Sequence, residues 1–258
     1  MATILIVESN TPDLVMQGQS AATGFTRTID ALSPETILTV VAPYNEAMPE
    51  SAFDGVDGVI FTGSGVSWST AASEAQPLQV MMERVFERGL PTYGSCNGLQ
   101  LAATVLGGDV GTSPNGNETG VARDLRLSEA GRVHPFMAGR YDGYSVPCIH
   151  RDEVQRLPDG AVLLAGNAHS PVQAMAYELG GVRFWGVQYH PELSAQDIAC
   201  ILRSKGGTEG SGLTSDLEKA SDDVLAAARI GTTPTALALP ERSLELANWV
   251  MMVSGKRA

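Results

Sequence analysis

Cys96 is the residue of this sequence best placed for covalent chemistry, in the middle of the segment 93–100, YGSCNGLQ. A strand is predicted to end just before it and a helix to begin just after it, with Gly94 and Gly98 two residues to either side. A nucleophile at such a junction lies on a sharp, strained turn, and glycines let the strand and the helix approach each other. The helix N-terminus stabilises a thiolate, and the free N–H of Asn97 can donate to an oxyanion. The pattern favours a nucleophilic cysteine over a small buried structural one.

A general base for this cysteine is predicted at His190. An apolar strand at 184–189 runs directly into His190, Pro191 and Glu192. Residues two apart in an extended chain face the same side, so Glu192 can orient the His190 imidazole toward the thiol. Pro191 stiffens the step between them and donates no hydrogen bond. The sequence therefore predicts a Cys–His–Glu catalytic triad.

A second oxyanion donor is predicted in the turn TGSG that follows the apolar run 58–61. In a parallel sheet this turn lies at the same carboxyl edge as Cys96. The backbone N–H of Gly63 or Ser64 can then complete an oxyanion hole with the N–H of Asn97. A plain tight turn is the alternative that the sequence leaves open.

The alternation of predicted strands and helices indicates a fold that brings these motifs together. Short apolar runs alternate with helical segments as far as about residue 110, which is typical of a parallel sheet with helices on both faces. From about 117 to 190, short strands follow one another between turns and indicate antiparallel or mixed pairing at one edge. The predicted fold class is α/β, with an open, mostly parallel central sheet, helices on both faces and additional C-terminal helices.

The 258 residues allow one large α/β domain or two small ones. We predict an α/β domain at 1–204 and a C-terminal helical extension at 205–258 that packs on the same domain. The glycine-rich stretch 205–212 is interpreted as a loop and not as a phosphate cradle, because no apolar strand leads into it. A last helix at about 240–254 is predicted to pack on the body, and a surface for docking a partner is the open alternative.

Composition and charge exclude several classes of protein. Hydrophobic residues make up 43% of the chain, enough for a packed core, and the net charge of -12 opposes binding to nucleic acid or to an acidic membrane surface. Three cysteines without short spacing argue against a disulfide framework and a zinc knuckle, and reduced thiols fit the cytoplasm. We expect no signal peptide and no membrane span. The remaining candidates are interpreted as structural: His134, His169, Cys148 and Cys200.

Taken together, these segments resemble the class I glutamine amidotransferase family, also called the triad glutaminases. The family's elbow, Gly-x-Cys-x-Gly-x-Gln followed by a helix and Leu-Gly-Gly, is similar to residues 94–108, and its Gly-Val-Gln-Phe/Tyr-His-Pro-Glu motif to 186–192. Its Gly-Gly-Pro turn looks like residues 63–65. Softer similarities to the stand-alone, GMP-synthase-like branch occur at 118–120, 150–154, 157–160 and 170–174. The resemblance spans about residues 40 to 195 and implies the flavodoxin-like fold of that family.

The resemblance implies a reaction on the γ-carboxamide of a small-molecule substrate, glutamine or a γ-glutamyl amide. Cys96 would attack the amide carbon, while His190, oriented by Glu192, would take the thiol proton and return it to the departing ammonia or amine. Water activated by His190 would then cleave the γ-glutamyl thioester. This chemistry needs no metal and no organic cofactor.

The resemblance also implies substrate contacts at Gln100, His150 and Arg151. Gln100 would contact the glutamyl part of the substrate. Arg151 replaces a frequent Gly near the place of the substrate's α-groups, which leaves open a substrate other than glutamine. Leu99 replaces a frequent His, and Ser64 with Gly65 replaces the usual Gly-Pro of the oxyanion turn.

Two enzymatic functions and one function of another class stay open. About 60 residues follow the triad, too few for an ATP-pyrophosphatase domain, and no P-loop occurs, so no ATP-driven amination is expected of this chain alone. The main hypothesis is a glutaminase subunit that passes ammonia to a separate synthase. The alternative is a stand-alone hydrolase of γ-glutamyl amides or peptides that releases an amine. A non-catalytic regulatory or binding module is the alternative of another class.

Overall fold

Nine strands form one sheet within residues 1–46, 48–204 and 212–255, which are the residues described by the computed structural model. The order across this sheet is β2-β1-β3-β4-β11-β10-β9-β6-β7, and β5 pairs separately with β8. In chain order the strands are β1 (Thr3–Val7), β2 (Ile37–Val41), β3 (Gly58–Phe61), β4 (Pro91–Ser95), β5 (Asp109–Thr112), β6 (Glu118–Leu127), β7 (Tyr144–His150), β8 (Asp152–Arg156), β9 (Val162–Gly166), β10 (Ala174–Tyr177) and β11 (Arg183–Val187).

Helices connect and cover these strands. In chain order they are α1 (Pro12–Met16), α2 (Ala22–Leu32), α3 (Gln76–Glu87), α4 (Asn97–Val105), α5 (Ala195–Ser204), α6 (Leu213–Lys219), α7 (Val224–Arg229), α8 (Pro234–Leu237), α9 (Leu239–Arg242) and α10 (Leu244–Val253). Short 3₁₀ turns occur at Glu50–Phe53, Ser73–Ala75 and Pro135–Met137. Among the described residues, no helix has the length and apolar character needed to cross a bilayer.

Half of the large sheet is parallel and half is antiparallel. Strands β2, β1, β3, β4 and β11 run parallel to one another, whereas β10, β9, β6 and β7 extend the sheet beyond β11 with antiparallel pairing. The carboxyl ends of β1, β3, β4 and β11 therefore meet at one edge. The segments that leave this edge carry the predicted nucleophile, base and oxyanion turn.

The parallel strands bury side chains on both faces of the sheet. Ile4 and Ile6 belong to a core shared with α2 and α10, whereas Leu5 and Val7 belong to a core shared with α3 and α4. Successive side chains of a strand point to opposite faces, so a continuous apolar run is what a sheet covered on both sides requires. The predicted α/β class with helices on both faces is confirmed.

The C-terminal helices contact the body through buried groups. Trp249 of α10 is fully buried and its ring lies 5.8 Å from that of Tyr93 in β4. Glu245 accepts hydrogen bonds from Arg140 (2.7 and 2.8 Å) and from the Tyr189 hydroxyl (2.7 Å). The division of the chain at residues 204 and 205 stays a prediction, and the glycine-rich stretch 205–211 lies outside the described residues.

Three elements have local features that the sequence prediction does not specify. Strand β7 contains Pro147, which lacks a backbone donor; the structure places β7 at the sheet edge, where proline is tolerated. Helix α2 forms although its threonines have low helix propensity. Helix α6 begins at Leu213 after Gly212, whose φ is 70°.

Candidate active site

Cys96 occupies a strained turn between β4 and α4, with φ of 50° and ψ of -103°. A Cβ on Gly94 would stand 2.6 Å from the carbonyl carbon of Gly98, and a Cβ on Gly98 would stand 2.3 Å from the carbonyl oxygen of Phe61. Neither position accepts a side chain, so both glycines are required for the strand and the helix to meet. The Cys96 N–H donates to the Val187 carbonyl (2.8 Å), which holds the turn against β11.

His190 and Glu192 follow β11, the parallel neighbour of β4, so both motifs leave the sheet side by side. The His190 Nδ1–H donates to Glu192 Oε1 (2.7 Å), and both side chains are buried. Because a carboxylate only accepts, this bond fixes the tautomer and leaves Nε2 as the free position of the ring. Within the described part of the chain, Nε2 has no hydrogen-bond partner.

The Cys96 side chain and the imidazole meet beside Gly63. The position of a Cβ on Gly63 lies 2.6 Å from His190 Cε1 and 3.7 Å from Cys96 Cβ. Burial alone lowers the pKa of His190, but the negative charges of Glu192 and of the neighbouring Cys96 sulfur, with the hydrogen bond to Glu192, outweigh it and hold that pKa well above its ordinary value. The arrangement therefore favours an imidazolium that faces the sulfur.

Glu192 is held by residues that the sequence analysis did not single out. The Ser95 hydroxyl lies 3.1 Å from Glu192 Oε2 and 3.3 Å from Oε1, and the Thr28 hydroxyl donates to the Glu192 carbonyl (3.0 Å). Arg242, also buried, donates to the carbonyl oxygen of Pro191 (3.0 Å). Only Ser95 had a signal in the sequence, since it stands directly before the predicted nucleophile.

Replacing Ser95 with alanine is expected to lower kcat by about 10-fold with little change in KM, because the Glu192 carboxylate loses one donor that orients it while its bond to His190 remains. Steady-state kinetics on a γ-glutamyl amide measure the effect. Ser145→Ala is the matched control, since the Ser145 hydroxyl is also buried but pairs with Thr232. An equal loss of kcat in both variants would assign the effect of Ser95 to general destabilisation.

The predicted oxyanion turn is shaped by Asn10, which follows β1 at the same edge of the sheet. Asn10 Oδ1 accepts hydrogen bonds from the Gly65 N–H (2.7 Å) and from the Ser64 hydroxyl (3.0 Å). The Ser64 hydroxyl also lies 2.9 Å from the Ser9 carbonyl oxygen. The described hydrogen bonds do not use the N–H groups of Gly63 and Ser64, so both stay available for an oxyanion.

The three predicted substrate-binding residues converge on Asp152 and not on the thiol. Gln100 Nε2 donates to the Asp152 carbonyl (2.6 Å) and to Gln188, and His150 Nδ1 lies 3.1 Å from the same carbonyl oxygen. Arg151 binds the Asp152 carboxylate through Nε (2.8 Å) and Nη2 (2.9 Å). Gln100 and His150 are buried, whereas the Arg151 side chain is 45% exposed and is the one of the three that a ligand can reach.

A cavity of about 420 Å³ opens beside His190. Its lining includes His190, Glu192, Gly63 and Ser64 but not Cys96. The cavity also contacts α2 through Thr23 and Arg27 and α5 through Asp197 and Ile201. It thus provides room on the side of the imidazole and of the oxyanion turn.

Comparison with known proteins decides the family. A family model described as glutamine amidotransferase class-I matches residues 24–200, well over half of the chain. The chain belongs to the class I glutamine amidotransferase family. It is 40% identical over 154 residues to a gamma-glutamyl-L-1-hydroxyisopropylamide hydrolase from a Pseudomonas species, an alignment that covers 57% of this chain and 50% of that protein.

Further relatives of this chain include both longer and similar-sized proteins. It is 35% identical over 142 residues to the glutamine-hydrolyzing GMP synthase of Nitrosomonas eutropha, covering 53% of this chain and 25% of the synthase. A crystal structure of a glutamine amidotransferase from Thermotoga maritima superposes with a TM-score of 0.68 at 18% identity, covering 98% of this chain and 97% of that one. That likeness concerns the fold alone. The chain spans half or less of the length of the two curated relatives.

Proposed function

We propose that this protein hydrolyses the γ-carboxamide bond of glutamine or of a γ-glutamyl amide through a thioester on Cys96. One observation carries the proposal: the buried His190–Glu192 pair leaves Nε2 unpaired beside a cysteine on a strained turn. The family membership supports the same chemistry. The residues that stand in these roles are Cys96 as nucleophile, His190 as base and acid, and Glu192 as the group that orients the imidazole.

The reaction runs in two halves. Cys96 Sγ attacks the γ-carbon while His190 Nε2 holds the thiol proton, and the oxyanion accepts hydrogen bonds from the N–H groups of Asn97 and of Gly63 or Ser64. His190 then gives its proton to the departing nitrogen, so that the C–N bond breaks and the γ-glutamyl thioester remains. Water gives a proton to His190 and attacks the thioester, and the thiol leaves with that proton as glutamate is released.

The main hypothesis for the leaving group is ammonia from glutamine, delivered to a separate synthase. The relation to the glutaminase part of a GMP synthase supports it. The second candidate is a hydrolase that releases a larger amine, and the cavity of about 420 Å³ favours it, because that cavity is lined by the base that protonates the leaving nitrogen. Ammonia alone needs no such space, and the 40% identity to an amide hydrolase supports the same candidate.

Arg151 is our candidate contact for the α-carboxylate of the glutamyl group. Its guanidinium is half-exposed and is held in place by Asp152 and by the Ser67 carbonyl (2.9 Å). Gln100 and His150 act through Asp152 in this proposal, since both contact its backbone carbonyl. We also place the protein in the cytoplasm, which three free cysteines support because thiols stay reduced there.

A substrate screen with one cavity variant tests the proposal. Turnover is measured on L-glutamine and on γ-glutamyl amides of increasing amine size, with and without an added synthase. In Thr23→Trp, whose exposed side chain lines the cavity, we expect bulky amides to lose about 10-fold more turnover than glutamine if the cavity holds the amine. Equal losses on all substrates would exclude the cavity as the amine site. Activation by a synthase would favour the glutaminase, and no turnover of any amide would end the proposal.

A further inference from the structure

A second group of ligand-type side chains lies outside the triad. Glu118 at the start of β6, His150 at the end of β7 and His169 in the loop after β9 bring one potential ligand atom each to within 4.8 Å of one another. Glu118 and His150 are buried and His169 is half-buried. The rings of the two histidines lie 5.7 Å apart at an interplanar angle of 88°.

The hydrogen bonds made by Nδ1 of the two histidines leave Nε2 as the atom that each ring can offer to an ion. His150 Nδ1 lies 3.1 Å from the Asp152 carbonyl oxygen, which only accepts, so Nδ1 carries the hydrogen. His169 Nδ1 lies 3.1 Å from the hydroxyl of Ser170, whose own hydrogen goes to Glu153 (2.5 Å), so Nδ1 again donates. His169 Nε2 is buried and, within the described residues, has no hydrogen-bond partner. Histidines that bind metals are oriented in this way, with the second ring nitrogen donating to a carbonyl or carboxylate system.

The carboxylate of the group is oriented as well. Glu118 Oε1 accepts from Asn167 Nδ2 (2.7 Å), and Oε2 accepts from Gln173 Nε2 (2.6 Å). Glu118 Oε2 also lies 2.9 Å from His150 Nε2. Asn167 and Gln173 thus orient the carboxylate, as outer-shell hydrogen-bond partners orient the ligands of metal sites.

We propose that Glu118, His150 and His169 form a zinc-binding site. Two imidazole nitrogens and one carboxylate oxygen are a donor set that Zn²⁺ favours, with a fourth position left open. That position would face a cavity of about 560 Å³ lined by both Glu118 and His169. A bound ion would take the place of the direct contact between His150 Nε2 and Glu118 Oε2.

The proposed zinc ligand His150 is next in sequence to Ile149, which contacts Cys96. The carbonyl oxygen of Ile149, which precedes His150, is 3.8 Å from Cys96 Sγ. A bound ion would therefore fix the end of β7 beside the thiol without taking part in the proposed hydrolysis. The proposal does not depend on that hydrolysis, because its test uses a protein without the thiol of Cys96.

Zinc binding is tested in a Cys96→Ala background, because a thiol next to an imidazole could itself bind the ion. Metal-free Cys96→Ala protein is titrated with Zn²⁺ by isothermal titration calorimetry. We expect saturable binding of one ion per chain. Cys96→Ala with His169→Ala should bind at least about 10-fold more weakly, since even the loss of an outer-shell partner costs 10- to 100-fold.

Cys96→Ala with His134→Ala is the matched control, because His134 is also half-buried but lies near Glu178, away from the three ligands. It should bind zinc as the Cys96→Ala protein does. His169 is chosen for replacement because, being half-buried, it can be truncated with the fold retained, which circular dichroism checks. Absence of saturable binding in the Cys96→Ala protein, or equal affinity after the His169 and His134 replacements, would overturn the proposal.

Discussion

Cys96→Ala is expected to lower the rate of γ-glutamyl amide hydrolysis by at least about 10³-fold, because the variant loses the atom that forms the thioester. The residual rate should not depend on the integrity of the imidazole, since no thiol proton remains to be transferred. An electrophilic glutamine analogue such as diazo-oxo-norleucine should label the parent protein at Cys96 and leave the variant unlabelled. Product release and the mass of the labelled protein measure both effects.

Cys148→Ala is the control for this experiment. It also removes one buried thiol, and in the parent protein burial raises the pKa of Cys148 well above its ordinary value, which keeps that thiol protonated and unreactive. It should keep both turnover and labelling, measured per folded molecule. Turnover of Cys96→Ala equal to that of the parent would remove Cys96 from the mechanism and with it the proposed function.

The parallel half of the fold was predictable because its signals are local. Strand β3 coincides with the apolar run at 58–61, and β4 ends directly before Cys96 as predicted, since each is a short run ended by a turn. The elbow was predictable because two glycines at fixed offsets have a steric cause, which the contacts of Gly94 and Gly98 make explicit. The antiparallel half was predicted only in outline, because the pairing of β7 depends on its partner β6 and not on its own composition.

The hydrogen bonds that hold the candidate site in place were not predictable, because they join residues far apart in the sequence. Asn10 shapes a turn 55 residues downstream, at Gly65, and Thr28 binds the carbonyl of Glu192 across 164 residues. Arg242 reaches the chain between the base and its partner from the C-terminal helices. The local sequence around each of these residues carries no signal of a functional role. Only the order of the strands brings each residue to the edge of the sheet that carries Cys96 and His190.

Glu192→Gln is expected to lower kcat by about 10³- to 10⁴-fold with little change in KM, because Glu192 acts on the imidazole and not on the substrate. The amide can present its NH₂ group to His190 Nδ1, which favours the wrong tautomer and weakens the imidazolium. Glu129→Gln, the same change on an exposed side chain, is the control and should match the parent. Steady-state kinetics over a range of substrate concentrations separate kcat from KM.

The pH dependence of kcat gives the same variant a second and independent readout. In the parent, the negative charges of Glu192 and Cys96 raise the pKa of His190 well above its ordinary value despite burial, so the protonated imidazole that donates to the leaving nitrogen persists into alkaline solution. The rate should therefore fall on the alkaline side only well above the usual range of histidine. Without the charge of Glu192, the pKa of His190 falls and the alkaline decline moves to lower pH, while desolvation continues to oppose protonation. An alkaline decline at the same pH in parent and variant, together with an unchanged kcat, would show that Glu192 does not govern the base.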